Sequence, residues 1–406
     1  MYNVIVIGGG AAGMFAAYSA AKSGKNVALL EKNEKLGKKL YITGKGRCNL
    51  TNNVSVSDFL NNVVCNPKFL YGALSELSPT DVINFFEENG CRLKTERGNR
   101  VFPESDKASD ITKTLQNVLV KSGVKIFLNT TVIGIETKDG KVCGVKTESG
   151  VIASESVIIC TGGLSYPLTG STGDGYAFAK ILGHSVIDLR PSLVGIELKG
   201  NDFISLQGLS LKNVSVSFTS GDKELYSDFG EMIFTHFGVS GPIILSASCL
   251  LNRSNARDML LKIDLKPALS EKVLDDRLVR ELEAGKTKTL ANVMRFIVPH
   301  TLVGTILSRA KINGDKRCCD VLKSERISLV SALKNLEFKV KGLRPIEEAV
   351  ITAGGVSVRE INPKTMESKI VKGLFFAGEV LDVDAFTGGF NIQIAFATGF
   401  TAGKNA

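Results

Sequence analysis

This 406-residue sequence contains no tryptophan, only three histidines and no Cys-x-x-Cys pair. Its eight cysteines are scattered. Several of them lie in apolar stretches, as reduced core thiols do, which argues against a zinc site and against a redox disulfide. No uninterrupted apolar run reaches the length that crosses a membrane, and the apolar N-terminus lacks the basic segment of a signal peptide. We therefore expect no metal site, no membrane partner and a cytoplasmic location.

Basic residues are in modest excess. Lysine and arginine outnumber aspartate and glutamate by 50 to 41, which gives a formal net charge of +9. The basic excess favours anionic ligands. It is spread along the chain without a long basic run, and clusters of basic and aromatic residues are missing, which argues against a nucleic-acid partner. An apolar content of 44% with 22% charged residues indicates an ordered globular protein of two or three packed units. The oligomeric state is left open.

The strongest motif is a glycine-rich turn near the N-terminus. An apolar run leads into Gly8-Gly9-Gly10-Ala11-Ala12-Gly13, a helical stretch follows, and a second apolar strand, 26–30, ends at Glu31. Gly8 permits the tight turn, Gly10 lets the backbone approach a pyrophosphate, and Gly13 lets the helix pack against the strands. Free N–H groups at the helix start suit phosphate, and Glu31 suits ribose hydroxyls. The motif predicts a dinucleotide site.

A second glycine-rich signature lies near the C-terminus. A strand ends in Gly378-Glu379, Asp382 follows, and Gly388-Gly389 opens an apolar helix that we expect to run to about residue 399. Free N–H groups over 389–392 would stabilise the negative charge of a reduced flavin. The alternative is an ordinary glycine-opened helix, but the N-terminal motif favours the flavin, and FAD is the expected cofactor. A side chain at Gly389 is expected to displace the flavin ring while leaving the fold intact.

Three further segments are expected to line the same cofactor. Residues 35–52 form a glycine-punctuated loop whose cations suit a pyrophosphate or flavin edge, although a solvated loop is the alternative. A β meander over 124–147 precedes a strand that ends in small residues at 161–163, which allow backbone contact. The predicted FAD-binding residues are Gly8, Gly10, Ala11, Ala12, Gly13, Glu31, Lys32, Lys38, Gly46, Arg47, Cys48, Asn49, Thr51, Val132, Thr161, Gly162, Gly163, Gly378, Glu379, Asp382, Gly388, Gly389, Asn391 and Ile392.

The remaining pattern predicts that the cofactor domain is interrupted. Residues 66–98 show helical spacing, and Ser109 is a plausible N-cap for a helix over 111–121. The chain is then strand-rich over 192–265 and helical and charged over 270–336. We infer an FAD-binding domain made of 1–190 and 345–406, with an inserted part that is strand-rich over 191–270 and helical over 271–344. The insert is expected to shape substrate access.

Together these stretches resemble a bacterial family of FAD-binding oxidoreductases related to aminoacetone oxidase and to the flavin-dependent 3-dehydro-bile acid Δ4,6-reductase. The resemblance spans nearly the whole chain and is carried by residues 43–52, 100–110, 161–175, 234–242, 365–369 and 373–399. Thr43 stands where the family pattern has serine, which keeps the hydroxyl group. The resemblance implies an α/β fold: a glutathione-reductase-like Rossmann domain for FAD, discontinuous in sequence, with an inserted β-barrel-like domain and a small helical subdomain. It does not settle the substrate.

Candidate catalytic side chains are few. Of the three histidines, only His236 lies in a family-like stretch, so it is the best candidate for an acid that faces the substrate, with a structural histidine as the alternative. His184 and His300 are expected to be structural. A reactive thiolate at Cys48 is a weaker hypothesis than a small buried loop residue.

No second Gly-x-Gly-x-x-Gly with a flanking strand and acid occurs in the chain. NAD(P)H, if used, must therefore dock at the flavin itself as a transient co-substrate. We expect an FAD-dependent oxidoreductase that transfers hydride through flavin N5 and reduces an unsaturated or carbonyl-bearing small molecule, with bile-acid-type Δ4,6-reductase chemistry as one form. Two alternatives are an aminoacetone-type amine oxidase that uses oxygen and a flavin-dependent RNA modification enzyme.

Overall fold

The structure is a computed structural model that describes residues 1–254 and 258–406. Three residues of the predicted strand-rich stretch, 255–257, lie outside the described residues. The chain forms two compact units. We call Met1–Ser192 together with Ile346–Ala406 the dinucleotide unit, and Leu193–Pro345 the inserted unit.

Both units mix strands and helices. The strands are β1 Tyr2–Ile7, β2 Val27–Leu30, β3 Thr51–Asn52, β4 Leu93–Glu96, β5 Arg100–Pro103, β6 Lys125–Phe127, β7 Val132–Lys138, β8 Lys141–Thr147, β9 Gly150–Ile159, β10 Val186–Ser192, β11 Ile196–Leu198, β12 Ser210–Ser220, β13 Lys223–Thr235, β14 Gly238–Ser240, β15 Leu260–Asp264, β16 Leu336–Leu343, β17 Ile351–Val356 and β18 Leu374–Phe376. The helices are α1 Ala11–Lys22, α2 Val56–Leu60, α3 Tyr71–Glu76, α4 Pro79–Glu88, α5 Ala108–Lys121, α6 Asp174–Ile181, α7 Pro242–Leu251, α8 Glu271–Ala284, α9 Leu290–Met294, α10 His300–Ala310, α11 Lys323–Lys334 and α12 Phe390–Asn405. Within the described ranges, no helix combines the length and apolar character needed to cross a membrane.

The main sheet of the dinucleotide unit has the order β6-β2-β1-β9-β8-β7, and β18 also pairs with β9. Strands β1, β2, β6, β9 and β18 run parallel, and the register sets Ile7 opposite Ile159 and Ile159 opposite Phe376. The residues Val4–Ile7, Val27–Leu30, Val157–Ile159 and Leu374–Phe376 are buried, as expected for parallel strands covered on both faces, whereas Phe127 of the edge strand β6 is exposed. The carboxyl ends of β1, β9 and β18 therefore meet at one edge of the sheet.

Helices α1 and α12 pack unusually closely because glycines line their contact. A Cβ atom at Gly399 would lie 2.2 Å from the carbonyl oxygen of Ala12, and one at Gly403 would lie 2.0 Å from that of Ala16. Side chains larger than hydrogen would force the helices apart. This contact fixes where α12 begins relative to the turn before α1.

Several local predictions for the dinucleotide unit were wrong. The first strand of the predicted meander, β6, pairs in parallel with β2 and not with β7, so only β7 and β8 form a hairpin there. The stretch 66–98, predicted to be helical, contains two separate helices, α3 and α4, and its helical part ends at Glu88, because Leu93–Glu96 forms a strand that pairs with Arg100–Pro103. Helix α5 begins at Ala108 with Lys107 as its N-cap, so Ser109 lies inside its first turn. The C-terminal helix continues beyond residue 399 to Asn405, since its last turns pack on α1.

The inserted unit contains a closed barrel of antiparallel strands in the order β11-β14-β13-β12-β15-β16, which confirms the predicted barrel. The turn at 220–222 joins β12 to β13 as a hairpin. Helices α8 to α11 follow β15 and share one apolar core with the barrel. Helix α7, within the stretch predicted to be strand-rich, was not anticipated, because its apolar residues do not distinguish a buried helix from a buried strand.

Candidate FAD site

The candidate site lies at the joined carboxyl ends of β1, β9 and β18. Gly8 follows β1, Cys160 and Thr161 follow β9, and Gly378 follows β18 after one residue. In open α/β sheets, ligands bind in the crevice outside the carboxyl ends of the strands. Segments up to 370 residues apart in sequence are thus gathered at one sheet edge.

Of the four glycines in the glycine-rich turn, Gly8, Gly9 and Gly13 are tightly packed and Gly10 is open. A Cβ atom at Gly8 would lie 2.6 Å from the carbonyl oxygen of Cys160, and one at Gly13 would lie 1.8 Å from that of Gly8. A Cβ atom at Gly10 would meet nothing within 4 Å. Helix α1 begins at this open side without a side-chain cap, so the first N–H groups of the helix, at Ala11 and Ala12, face no capping side chain. The turn therefore leaves room for an anion at the helix start.

The Glu31 side chain ties the turn to the end of β2. Its carboxylate is buried and accepts N–H bonds from Gly9 at 2.7 Å and Asn33 at 2.8 Å, together with a bond from the Asn33 amide at 2.7 Å. The Glu31 carbonyl also accepts the N–H of Thr130, close to the buried Val132 at the start of β7. A carboxylate has about four acceptor positions, so these bonds leave capacity for a ribose hydroxyl.

The start of α12 rests on the loop that follows Glu31. Gly389, the N-cap, lies against Thr51, whose buried hydroxyl donates to Gln393 Oε1 at 2.7 Å. Asn52 donates from Nδ2 to the carbonyl oxygen of Gly388 at 3.0 Å. Helix α12 has neither a side-chain cap nor an acidic residue in its first turn. No residue of the cap or of the first turn therefore neutralises the positive end of its dipole.

Glu379 lies in a polar cluster that the sequence did not reveal. Its carboxylate accepts the hydroxyl of Ser165 at 3.0 Å, the N–H of Thr352 at 3.0 Å and the ammonium group of Lys39 at 2.7 Å. A Cβ atom at Gly163 would lie 2.7 Å from Glu379 Oε1. Ser165 adjoins a predicted segment, but Lys39 and Thr352 carry no local signal because their role depends on a contact with distant residues.

The other predicted residues of the C-terminal signature mostly support their own loop. Asp382 is buried, and its carboxylate accepts a hydrogen bond from Asn66 Nδ2 at 3.1 Å. Asn391 accepts the N–H of Ala385 at 2.9 Å and donates to its carbonyl oxygen at 2.8 Å, which closes the loop before α12. Ile392 is half-buried in the first turn of α12.

The predicted cations are each paired within the protein. Lys32 lies 2.7 Å from Asp174, and Lys38 lies 3.2 Å from Glu34. Arg47, which follows the left-handed Gly46, forms ion pairs with Glu96 and Asp106, and its guanidinium carbon lies 4.1 Å from the centre of the Phe102 ring. Their part in holding a pyrophosphate stays a prediction.

Cys48 is buried, whereas Arg47 and Asn49 on either side of it are half-buried. Burial raises the pKa of the Cys48 thiol to about 12, so the group is neutral at physiological pH and the reactive-thiolate hypothesis is not supported. Asn49 Oδ1 and Thr161 Oγ1 are buried side-chain atoms without a hydrogen-bond partner among the described residues. Unpartnered buried polar atoms are rare and suggest a missing ligand or water. With the open side of Gly10 and the uncapped α1, these residues fit a dinucleotide.

The three histidines differ in environment. His236 is exposed in the turn between β13 and β14, and its ring packs edge-on against Phe237 at 5.1 Å. Among the described residues, no hydrogen bond orients its ring. His184 is buried against Phe376, and burial lowers its pKa, whereas His300 is exposed at the start of α10. The catalytic role of His236 stays a prediction.

Parallel strands, the glycine turn, the acid after β2 and the C-terminal glycine pair together define an FAD-type Rossmann flavoprotein. A family model described as the HI0933-like protein Rossmann domain matches residues 2–405, and the chain belongs to this family. Membership places it among flavin-dependent oxidoreductases, as the sequence predicted.

Two curated relatives match over nearly their whole length. The chain is 29% identical over 410 residues to the 3-dehydro-bile acid delta(4,6)-reductase of Clostridium scindens, which covers 100% of this chain and 99% of the relative. It is 32% identical over 402 residues to the ribosomal RNA dihydrouridine synthase of Haemophilus influenzae. This alignment covers 98% of this chain and 96% of the relative.

Solved structures support the fold. The 3-ketosteroid-delta4-(5alpha)-dehydrogenase from Rhodococcus jostii RHA1 matches with a TM-score of 0.52 and 15% identity, over 100% of this chain and 96% of that chain. The 3-ketosteroid delta1-dehydrogenase from Sterolibacterium denitrificans matches with a TM-score of 0.53 and 15% identity, over 99% of this chain and 98% of that chain. At such identity these matches show the fold alone.

Proposed function

We propose that this chain uses FAD to reduce a carbon–carbon double bond conjugated with a carbonyl group, with NAD(P)H as the transient electron donor. The observation that carries the proposal is that two relatives of similar length, named for different substrates, share this bond type. A 3-dehydro bile acid with Δ4,6 unsaturation places its double bonds in conjugation with the C3 ketone. Dihydrouridine forms when the uracil double bond conjugated with a ring carbonyl is saturated.

Saturation of uracil and of the steroid Δ4 bond adds a hydride to the carbon β to the carbonyl and a proton to the α carbon. At the steroid Δ6 bond, the conjugation carries the same polarisation further, so the hydride adds to the δ carbon and the proton to the γ carbon. The electron balance is the same: one NAD(P)H and one proton are consumed for each saturated bond, and NAD(P)⁺ is released. FAD, when bound, supplies the hydride carrier at flavin N5. We propose that 1–190 and 345–406 hold this cofactor and that 191–344 contributes to substrate recognition.

Each part of the site has a role in this proposal. The N–H groups of Ala11 and Ala12 suit the pyrophosphate, and Glu31 suits the adenosine ribose. The uncapped start of α12 suits negative charge on the reduced ring. No second dinucleotide fingerprint occurs in the sequence, so the nicotinamide must reach the flavin through the substrate side. His236 is the proposed proton donor to the α carbon.

Anaerobic stopped-flow measurements on the purified flavoprotein test the proposal. We expect NADH or NADPH to bleach the oxidised flavin, and a 3-oxo-Δ4,6 steroid or a uridine-containing RNA to restore its absorbance in the absence of oxygen. Bleaching by small amines instead, with reoxidation by oxygen alone, would support the amine-oxidase alternative and reject this proposal.

A uracil in ribosomal RNA is the second candidate substrate. It is favoured by the 32% identity to a ribosomal RNA dihydrouridine synthase and by the net charge of +9. Mass spectrometry of ribosomal RNA incubated with the enzyme and NAD(P)H distinguishes the two candidates. A gain of two hydrogen masses on a uridine supports the RNA substrate, whereas unmodified RNA together with turnover of the steroid supports the small molecule.

A further inference from the structure

The expectation that the basic excess is spread along the chain was wrong, because most of it lies in one stretch of the inserted unit. Residues 286–323 contain eight lysines and arginines against two aspartates, so this short stretch holds six of the nine net positive charges of the chain. A like-charged surface of this kind repels itself unless an anion binds to it. The concentration is not visible as a run in the sequence, because the cations are separated by apolar core residues.

Most of these cations have no carboxylate partner. Lys286, Lys288, Arg295 and Arg317 are exposed, and none of them forms an ion pair within the part of the chain that the structure describes. Two other cations of the stretch are neutralised: Arg309 pairs with Asp202, and Lys316 lies 2.8 Å from Glu325. The four exposed cations are therefore available to an external anion.

The fold brings these cations together. The segment that contains Lys288 runs antiparallel to the segment that contains Arg317: the N–H of Cys318 donates to the Lys288 carbonyl oxygen at 3.1 Å, and Thr289 pairs with Arg317. Lys288 Nζ also lies 5.8 Å from the centre of the Phe296 ring, which links it to the neighbouring Arg295. We call Lys286, Lys288, Arg295, Phe296 and Arg317 the basic patch.

Phe296 gives the basic patch a feature that a simple charged surface lacks. Its side chain is 62% exposed, although a large aromatic residue is normally buried. Arg277 donates to the Phe296 carbonyl oxygen at 3.3 Å. An exposed ring among unpaired cations is the combination that stacks a base while phosphates bind the cations.

We propose that the basic patch binds single-stranded RNA, with phosphates on Lys286, Lys288, Arg295 and Arg317 and an unstacked base on Phe296. The purpose of this binding rests on the proposed function, since RNA would deliver the uracil whose double bond is reduced. Binding itself does not depend on reduction. RNA is the partner that the patch favours, because its phosphates would neutralise the unpaired cations while one of its bases covers the exposed Phe296 ring.

Fluorescence anisotropy of the oxidised holoenzyme with a uridine-rich single-stranded RNA oligonucleotide, over a series of salt concentrations, tests the proposal. We expect the variant K288A/R295A/R317A to bind the RNA more weakly than the wild type. A plot of the logarithm of its association constant against the logarithm of salt concentration should be less steep by about 2, because three phosphate contacts are lost. The matched control K121A/K125A/K138A removes the same charge from exposed lysines of the dinucleotide unit and should keep the wild-type slope.

The role of the aromatic ring is tested separately. F296A should weaken binding by about tenfold, whereas F296Y, which keeps a stacking surface, should bind like wild type. Equal loss of affinity in the patch and control triple variants would overturn the proposal, as would wild-type RNA affinity in the patch variant. Reduction of the flavin by NAD(P)H is measured on the same variants, so failure of the redox proposal is seen independently of RNA binding.

Discussion

Gly389 lies directly against the backbone of Thr51: a Cβ atom at Gly389 would come within 2.4 Å of the Thr51 carbonyl oxygen. The φ angle of Gly389 is +98°, in a region that side chains disfavour. The expectation that a side chain at this position disturbs the flavin alone is therefore corrected, because the collision is with the protein itself. Gly389→Val should lower the free energy of unfolding by more than about 2 kcal/mol, measured by denaturant titration. Wild-type stability would contradict this contact.

The influence of α12 on the flavin is better tested by charge. Ile392→Glu places a carboxylate in the uncapped first turn, where it should neutralise the positive helix end and make the midpoint potential more negative by on the order of 10–20 mV. Ile392→Gln is the matched control, because it has the same size without the charge. Equal potentials in the two variants, measured by spectroelectrochemical titration, would mean that the helix start does not act on the flavin.

Gly10 and Gly13 are expected to respond differently to the same small change. Gly10→Ala adds a methyl group where the protein has nothing within 4 Å, so stability should stay within about 0.5 kcal/mol of wild type while FAD affinity falls about tenfold. Gly13→Ala meets the Gly8 carbonyl and should cost about 1–3 kcal/mol of stability. Isothermal titration of the apoprotein and thermal unfolding separate the two effects. A wild-type FAD affinity in Gly10→Ala would show that the pyrophosphate does not bind next to Gly10.

Glu31 is expected to be required for retention of FAD. Glu31→Gln keeps the size but presents an amide group where Gly9 and Asn33 donate N–H bonds, and each weakened charge-assisted bond costs about 1.5–3 kcal/mol. The cofactor released on denaturation should be FAD, and its dissociation constant should rise at least about tenfold. Glu148→Gln, the same change at an exposed position of the dinucleotide unit away from the site, should leave affinity unchanged. A wild-type dissociation constant in Glu31→Gln would refute the ribose assignment.

His184 should make the dinucleotide unit sensitive to acid. The Ser368 hydroxyl accepts N–H bonds from Ile370 and Val371, so it donates its hydrogen to His184 Nε2 at 2.8 Å, and the imidazole is neutral. Its pKa lies below the ordinary value of 6.5 because of burial, so the unfolded chain binds the proton more readily than the folded chain.

The stabilising contribution of neutral His184 is therefore complete above about pH 6.5 and is lost as the pH falls toward the lowered folded pKa. Denaturant unfolding at several pH values measures this loss. The amide oxygen in His184→Gln can still accept a hydrogen bond from the Ser368 hydroxyl but cannot be protonated. The free energy of unfolding of this variant should therefore fall less steeply with decreasing pH below about pH 6.5. His300→Gln, at an exposed helix start, should show the same pH dependence of unfolding as wild type. A wild-type pH dependence in His184→Gln would show that His184 is not the titrating group.

The local turns of this fold follow from residues that are adjacent in sequence, whereas its short pairing strands depend on distant residues. The glycine spacing at 8–13 and the acid at 31 predicted a turn, a helix and a strand end, because each feature depends on residues that are neighbours along the chain. The strand at 93–96 was missed for the opposite reason: it is short, polar and partly exposed, and only its pairing with 100–103 makes it a strand. Helix α7 was missed because its continuous apolar run does not reveal its periodicity.

The sequence by itself determined the FAD-binding fold, the two glycine-rich turns and the acid that follows the second strand. Only the tertiary structure decided that Gly389 rests on Thr51, that Glu379 is held by Lys39, and that Lys288 lies beside Arg317. The physical reason is the range of the interactions. Backbone turns are set by adjacent residues, whereas these partners are far apart along the chain and meet only when apolar surfaces pack and bring their elements together.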